Sequence, residues 1–239
     1  MNILIPMAGL GSRFLTKGFN IPKPLIDVNG TPMIVRAIQS LGIPNAKYLF
    51  VISKNDYSEV IKKEISRYVN CDFKEIDYIT EGPACSALLF KDQINNDEEL
   101  VIANCDQIME WNSNAFLLNV RLYDGCVVTY YETTEKNSYA KIDKLGHVIE
   151  IQEKNVISNV SLNGVHYWKC GKYFVESAKE MIKEDVRAPN GEFYVGPSYN
   201  HMVQKGLIVG IYHIPNQMHH PVGVPDDLEK FLKYEAAIK

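Results

Sequence analysis

The chain has no excess of positive charge, no Cys-x-x-Cys pair, no apolar stretch long enough to cross a bilayer and no internal repeat. Each absence removes a class of function. A net charge of −4 over 239 residues lacks the basic stripe on which nucleic-acid binding rests. The five cysteines, Cys71, Cys85, Cys105, Cys126 and Cys170, are scattered and odd in number, against both a zinc knuckle and a thioredoxin-like redox motif. Free thiols suit a reducing, cytoplasmic compartment better than a secreted one. The apolar runs fall short of the ~20 residues a membrane helix needs. The opening run is broken at Gly9 and Arg13, so it does not read as a signal peptide. What is present is ample for a core: 46% hydrophobic and 23% charged residues can build one large α/β unit without metals or disulfides.

Asn2 to Ala8 is apolar without alternation, the pattern of a parallel strand covered on both faces. A Gly- and Pro-rich segment runs from Gly9 to Pro24, and Asn29-Gly30 reads as a turn. Thr31 and Pro32 can open a helix carrying Met33, Ile34, Ala37, Ile38 and Leu41, stopped by Gly42 and Pro44. Further strands are predicted over 47–53, 73–79 and 99–104, with helices from Asn55 or Asp56 and over 84–94. Alternating strand and helix over the first 110 or so residues predicts a Rossmann-like, doubly wound, mostly parallel sheet with helices on both faces. After Gly125 the texture changes to strand-like runs over 125–132, 139–143, 147–152 and 160–168, a helix over 172–183, a strand over 207–214 and a helix from Pro225. The expectation is one α/β domain over 1–239, with a nucleotide-binding half (1–124) and a smaller mixed-strand, substrate-binding half (125–239).

The segment from Met7 through Ala8, Gly9, Gly11, Ser12 and Arg13 to Lys23-Pro24 is the richest in chemistry. Glycines directly after a buried strand let backbone N–H groups approach an anion closely. Arg13 and Lys23 then bracket the loop, one offering a planar fork and the other a compact point charge. A Rossmann fingerprint would need a third glycine where Phe14 stands and a helix opening there. A Walker A loop would end in Gly-Lys-Ser/Thr, and a kinase glycine loop would lead to Val-Ala-Ile-Lys; neither is present. Asn104-Cys105-Asp106 brings a carboxylate off the end of an apolar strand, a position suited to Mg²⁺ with phosphate oxygens and waters.

Gly-x-Gly-Ser-Arg followed by Pro-Lys-Pro-Leu resembles the signature of the sugar-nucleotide pyrophosphorylases and related cytidylyltransferases, over nearly the whole chain. The resemblance implies a nucleotidyltransferase that joins an NTP to a phosphorylated small metabolite and releases pyrophosphate. By the same resemblance Arg13 and Lys23 are catalytic, and Met7, Ala8, Gly9, Gly11, Ser12, Glu81, Gly82, Ala84 and Asn104 bind the nucleotide. Asp106 then holds Mg²⁺. The acceptor falls to Tyr139, Lys154 of the Glu153-Lys154 step, Asn163-Gly164, and Glu192 of Gly-Glu-Phe. Pro221 stands where the family commonly has a second metal aspartate, and Asp226 and Asp227 are expected to start the last helix. A Glu81 carboxylate able to accept from a cytosine amino group tilts the base toward CTP over UTP or dTTP. The texture around Asn163 to Trp168 is similar to that of phosphocholine or phosphoglutamine cytidylyltransferases, which implies a building block for surface polysaccharide. Nucleic acid and membrane are not expected partners, and a homo-oligomer is compatible with the sequence. A metal-dependent glycosyltransferase and a catalytically inactive nucleotide-binding subunit stand as alternatives.

Overall fold

The computed structural model describes residues 1–9 and 11–238; Leu10 of the glycine loop and Lys239 lie outside the described residues. In chain order the elements are β1 (Asn2–Pro6), α1 (Ser12–Leu15), β2 (Asp27–Val28), β3 (Thr31–Pro32), α2 (Met33–Leu41), β4 (Lys47–Ser53), α3 (Ser58–Ser66) and β5 (Cys71–Ile76). There follow α4 (Pro83–Leu88), α5 (Lys91–Ile94), β6 (Leu100–Ala103), β7 (Gln107–Met109), α6 (Ser113–Val120), β8 (Gly125–Tyr131) and β9 (Ser138–Ile142). The chain closes with β10 (Val148–Glu153), β11 (Val160–Trp168), α7 (Gly171–Lys183), α8 (Tyr199–Gln204), β12 (Val209–His213), β13 (His219–Pro221) and α9 (Pro225–Ala237). No helix among the described residues is long and apolar enough to cross a membrane.

Among the described residues nine strands share one sheet, in the order β10-β9-β11-β6-β1-β4-β5, with β8 paired to β11 and β12 to β8. The strands β6, β1, β4 and β5 pair in parallel, while β11 joins β6 antiparallel and carries the sheet into the second half. Since β1 lies between β4 and β6, the strand order reverses at β1, and the gap beyond its carboxyl end is where open α/β sheets bind ligands.

The unalternating apolar runs behave as expected of strands covered twice. Leu4, Leu49, Val51 and Ile102 enter the core on one face of the sheet, and Ile3, Ile5, Phe50, Val101 and Ala103 enter the core on the other. A third, smaller core joins Phe14, Ile26, Val28 and Met33 to Ile108, Val222, Leu228 and Phe231. It fastens the glycine-loop region to β7, the segment after β13, and α9.

Several boundaries differ from the sequence expectation. Strand β5 starts two residues earlier than predicted and ends at Ile76, because its partner β4 ends at Ser53 in register with it. Tyr78 and Ile79 therefore leave the sheet and are exposed. The helix predicted over 84–94 breaks into α4 and α5 around Phe90, whose ring is buried. Helix α6 was not predicted, although Asn112 caps it by accepting from the Ala115 amide at 3.0 Å. The β7–β13 pair was also missed.

Trp168, at the end of β11, is fully buried, stacked at 4.6 Å on Tyr199 and tilted at 4.9 Å against Phe174. Cutting it back leaves a cavity in the larger core. Trp168→Ala is expected to lower stability by about 3–5 kcal/mol, read as a shifted midpoint in chemical denaturation with an unchanged slope.

Candidate active site

Two strand ends build the site. Where β1 stops, the chain turns through Met7 and Gly9 into Gly11, which adopts a left-handed φ of 61° and caps α1. A short helical turn thus opens at Ser12, where sequence reasoning placed none. Phe14, which stands in place of the third Rossmann glycine, is buried in the third core instead. A Cβ on Gly11 would sit 3.1 Å from the Lys23 Cβ, so the small residue lets the two limbs of the loop lie together. Pro6, Met7, Gly9, Gly11, Lys23, Asn104 and Asp106 line one hollow of about 250 Å³ at the switch point.

From the end of β6, Asp106 meets Lys23 in an ion pair, the two side chains 22% and 18% exposed. Burial opposes the charge on the Lys23 ammonium, but the Asp106 carboxylate offsets it and leaves the lysine pKa above its ordinary value. Gly223 lies directly against the pair: a Cβ there would collide with the Asp106 carboxylate and lie 3.5 Å from the Lys23 Nζ. The Val222 amide donates to the Asp106 carbonyl at 2.9 Å, which fixes that approach.

A wider cleft of about 660 Å³ adjoins, lined by Arg13, Asp106, Gln107, Lys136, Lys154 and Asp227 among others. Pro221 lines it too, paired with Gln107 across β13 and β7. Asp226 and Asp227 stand in the first turn of α9 as expected. The two histidines before Pro221 are packing groups. His219 lies 4.5 Å from the Tyr130 ring and is pushed down to about 4 by burial, while His220 stacks on Tyr234 at 4.7 Å.

Lys154 holds a left-handed φ of 55°, and its ammonium donates to the Tyr194 hydroxyl at 2.8 Å while lying 4.8 Å from that ring. Beyond it a cavity of about 200 Å³ is lined by Asn104, Gln107, Asn137, Ser138, Glu153, Asn163, Gly164 and His166 among others. Gly164 has a φ of 93°, and a side chain there would collide with Asn104. Asn163 is buried, its side-chain Oδ1 accepting from the Val165 amide at 2.9 Å. Gln107 Oε1 and His166 Nδ1 are buried without a hydrogen-bond partner among the described residues. Burial pushes His166 down to about 3, so it faces the cavity as a neutral ring.

Three expected contacts are placed differently. Tyr139 is fully buried with its hydroxyl given to the Thr134 carbonyl, and its neighbours Asn137 and Ser138 reach the cavity instead. Glu192 is exposed and bonded to Asn190 at 2.9 Å, leaving Tyr194 to face Lys154. Glu81 is held by Arg187 at 2.7 Å, with its side chain 66% exposed. The 81–84 turn itself is rigid. Phe193 N–H donates to the Glu81 carbonyl at 2.8 Å and Ala84 N–H to the Phe193 carbonyl at 3.0 Å. A Cβ on Gly82 would lie 2.5 Å from the Phe193 oxygen. Sequence reasoning missed Gln107, Ser138, Tyr194 and Gly223 as site residues. Two of them carried a signal, Gln107 by following Asp106 directly and Tyr194 by following Gly-Glu-Phe.

Taken together, a glycine turn and the Lys23–Asp106 ion pair stand at the switch point of an α/β sheet, with Arg13 along the adjoining cleft. The chain belongs to the nucleotidyl transferase family, which matches residues 3–193. That match favours the nucleotidyltransferase reading over the glycosyltransferase one. Among similar proteins, the bifunctional protein GlmU of Methanocaldococcus jannaschii is 26% identical over 98% of this chain and 54% of its own length. A mannose-1-phosphate guanylyltransferase regulatory subunit alpha-A from Danio rerio is 32% identical over 77% of this chain and 49% of its own. The chain thus spans about half the length of these curated relatives. A nucleoside-diphosphate-sugar pyrophosphorylase structure from Vibrio cholerae aligns with a TM-score of 0.84 at 25% identity, over 97% of this chain and 99% of that one. The inositol-1-phosphate CTP transferase of T. maritima shares the fold, with a TM-score of 0.76 at 16% identity over 100% and 96% of the two chains.

Glu153 supplies a pH signature. Burial pushes its carboxyl up to about 6 from an ordinary 4.5, partly opposed by the Ser138 hydroxyl and Lys154. The folded state therefore holds this proton more tightly than the unfolded chain, and stability falls as pH rises from about 4.5 to about 6. Glu153→Gln removes the ionisation. It should stabilise the fold by roughly 2 kcal/mol above pH 6, with the gain vanishing below pH 4.5, as read from denaturation midpoints across that range.

Proposed function

We propose that the protein transfers a nucleoside monophosphate from an NTP to the phosphate of a small metabolite and releases pyrophosphate. The observation that carries this reading is the meeting of Lys23, Arg13 and Asp106 at the switch point, next to a second cavity entered past Lys154. A phosphate nucleophile is already ionised near neutral pH, so no general base is required. Positioning and charge neutralisation carry the rate. On this reading Lys23 follows charge building on the α-phosphorus, Arg13 grips the departing pyrophosphate, and Lys154 orients the attacking phosphate.

Mg²⁺ fits the residues present. Asp106 is a hard oxygen donor lining an open cleft of about 660 Å³, and Mg²⁺ commonly takes one or two carboxylates with phosphate oxygens and waters. Asp106 would hold it, with Asn104 and Gln107 nearby, and its chemistry there would be neutralisation of the triphosphate.

With Glu81 engaged by Arg187, the side-chain argument for cytosine is gone, and the reading specifies the transfer and not the base. The acceptor cavity also weighs against a quaternary ammonium, which seeks an aromatic cage. Its one lining aromatic besides the neutral His166 is Tyr194, already placed over Lys154. Glu153, Ser138, Asn137 and Gln107 instead favour a hydroxyl-rich acceptor of sugar size, whose product would be an activated building block for a surface polysaccharide. A nucleotide-binding regulatory subunit is the second reading, prompted by the name of the Danio rerio relative; the presence of Lys23 and Asp106 favours the enzyme.

Pyrophosphate release measured with Mg²⁺ over a panel of CTP, UTP and dTTP against sugar and amino-alcohol phosphates should find turnover in at least one pairing. Lys23→Ala should then lose kcat by about 10²–10³-fold. Near-full turnover in that variant would remove Lys23 from the mechanism, and nucleotide binding with no product anywhere would favour the regulatory subunit.

A further inference from the structure

We propose that Lys23 closes the Asp106 carboxylate to free divalent cations, so that metal enters this site only together with a nucleotide. The inference rests on the nucleotidyl-transfer reading and concerns how that same site is loaded. Three observations carry it. The Lys23 ammonium is bonded directly to Asp106 Oδ2, both groups largely sheltered from water. Gly223 backs onto the same oxygen, held there by the Val222 amide on the Asp106 carbonyl. A cation arriving alone must therefore displace the ammonium to reach Oδ2.

The third observation is what the site does not offer such a cation. Pro221 occupies the strand position opposite Gln107, so β13 brings no second carboxylate across from β7. Among the described residues no three His, Cys, Asp or Glu side chains gather into a metal cage. Glu135 and Asp227 line the same cleft, along with Arg13, Lys136 and Lys154, but do not gather with Asp106 into such a cage, so one carboxylate already paired with a lysine is a poor seat for a dication. Displacing Lys23 would also strand a sheltered ammonium without a partner, which is costly.

A triphosphate reverses each term. Its oxygens give the ammonium a new partner, so Lys23 can leave Asp106 without being stranded. They also supply ligands that the protein lacks. Lys23 moves from carboxylate to phosphate, and Asp106 passes from lysine to metal. Because this is a linkage between two ligands, the metal must strengthen nucleotide binding by the same factor that nucleotide strengthens metal binding.

The test is Mn²⁺ binding to the full chain, followed by electron paramagnetic resonance, without nucleotide and with α,β-methylene CTP or UTP. The wild type should bind Mn²⁺ at least about tenfold more tightly with the analogue than without it. Lys23→Met should gain nucleotide-free Mn²⁺ binding that Lys23→Met/Asp106→Asn loses again. Lys23→Arg, which keeps the charge, should continue to exclude the free ion, which separates charge from packing. Equal Mn²⁺ affinity in the wild type with and without a bound analogue overturns the inference, as does a folded Lys23→Met with no gain. Calorimetry showing that no nucleoside triphosphate of a full panel (CTP, UTP, dTTP, ATP and GTP) binds the wild type would instead bring down the nucleotidyl-transfer reading itself.

Discussion

The pairing of β1 between β4 and β6 is the constraint on which the site depends. Parallel register on both sides brings the ends of β1 and β6 to the same edge of the sheet. That places the glycine turn after Pro6 beside Asn104, Cys105 and Asp106. Lys23 and Asp106 are 83 residues apart in sequence and meet because those two strands are neighbours. No local propensity could bring them together. A one-residue slip would exchange the side chains that β1 sends into the two cores, Leu4 into one and Ile3 and Ile5 into the other, and the close packing of both cores resists it.

A loop carrying two cations still needs an anchor, because like charges held close together repel. The third core provides it. Phe14 lies one residue after Arg13, and Ile26 lies three after Lys23, so burying both apolar side chains fixes both cations from behind. The same cluster includes Val222, whose amide holds the Asp106 carbonyl, and Leu228 and Phe231 of α9. The last helix is thus tied to the first loop. The C-terminal segment is part of the site although it carries no expected catalytic residue.

Much of this was legible in the sequence, and the reasons divide cleanly. Unalternating apolar runs identified the parallel strands because burial on both faces leaves no other pattern. That the glycine loop, Lys23 and Asp106 come together was readable because their places follow from strand ends. Tyr139, Glu81 and Glu192 were misplaced for a different reason. Glu81 finds Arg187 across 106 residues, while Tyr139 and Glu192 are taken by near neighbours, the Thr134 carbonyl and Asn190, a competition that residue type alone does not show. Gly223 was missed since a glycine is informative only through what a side chain there would strike, and that neighbour, Asp106, lies across a β7–β13 pair that sequence periodicity did not reveal. Helix α6 was the opposite case, a local signal at Asn112 that was present but passed over.

The two cavities are mixed in charge. Arg13, Lys136 and Lys154 line the wider cleft together with Asp106, Glu135 and Asp227. In the adjoining cavity Glu153 lies buried, raised by desolvation and by the nearby charge of Glu192, and it accepts from the Ser138 hydroxyl with no lysine or arginine bonded to it. On the proposed reading, hydroxyl groups of an acceptor would donate to Glu153 and to the unpartnered Gln107 Oε1 while its phosphate stayed beside Lys154. Leaving either acceptor unmet would cost about 1–3 kcal/mol. The rigid 81–84 turn and the Phe193–Tyr194 segment share backbone bonds, so the turn expected to meet the base is tied to the tyrosine that holds Lys154. On the proposed reading, donor and acceptor would therefore be set against one another by a single piece of backbone. That arrangement would fix the attack line without a general base.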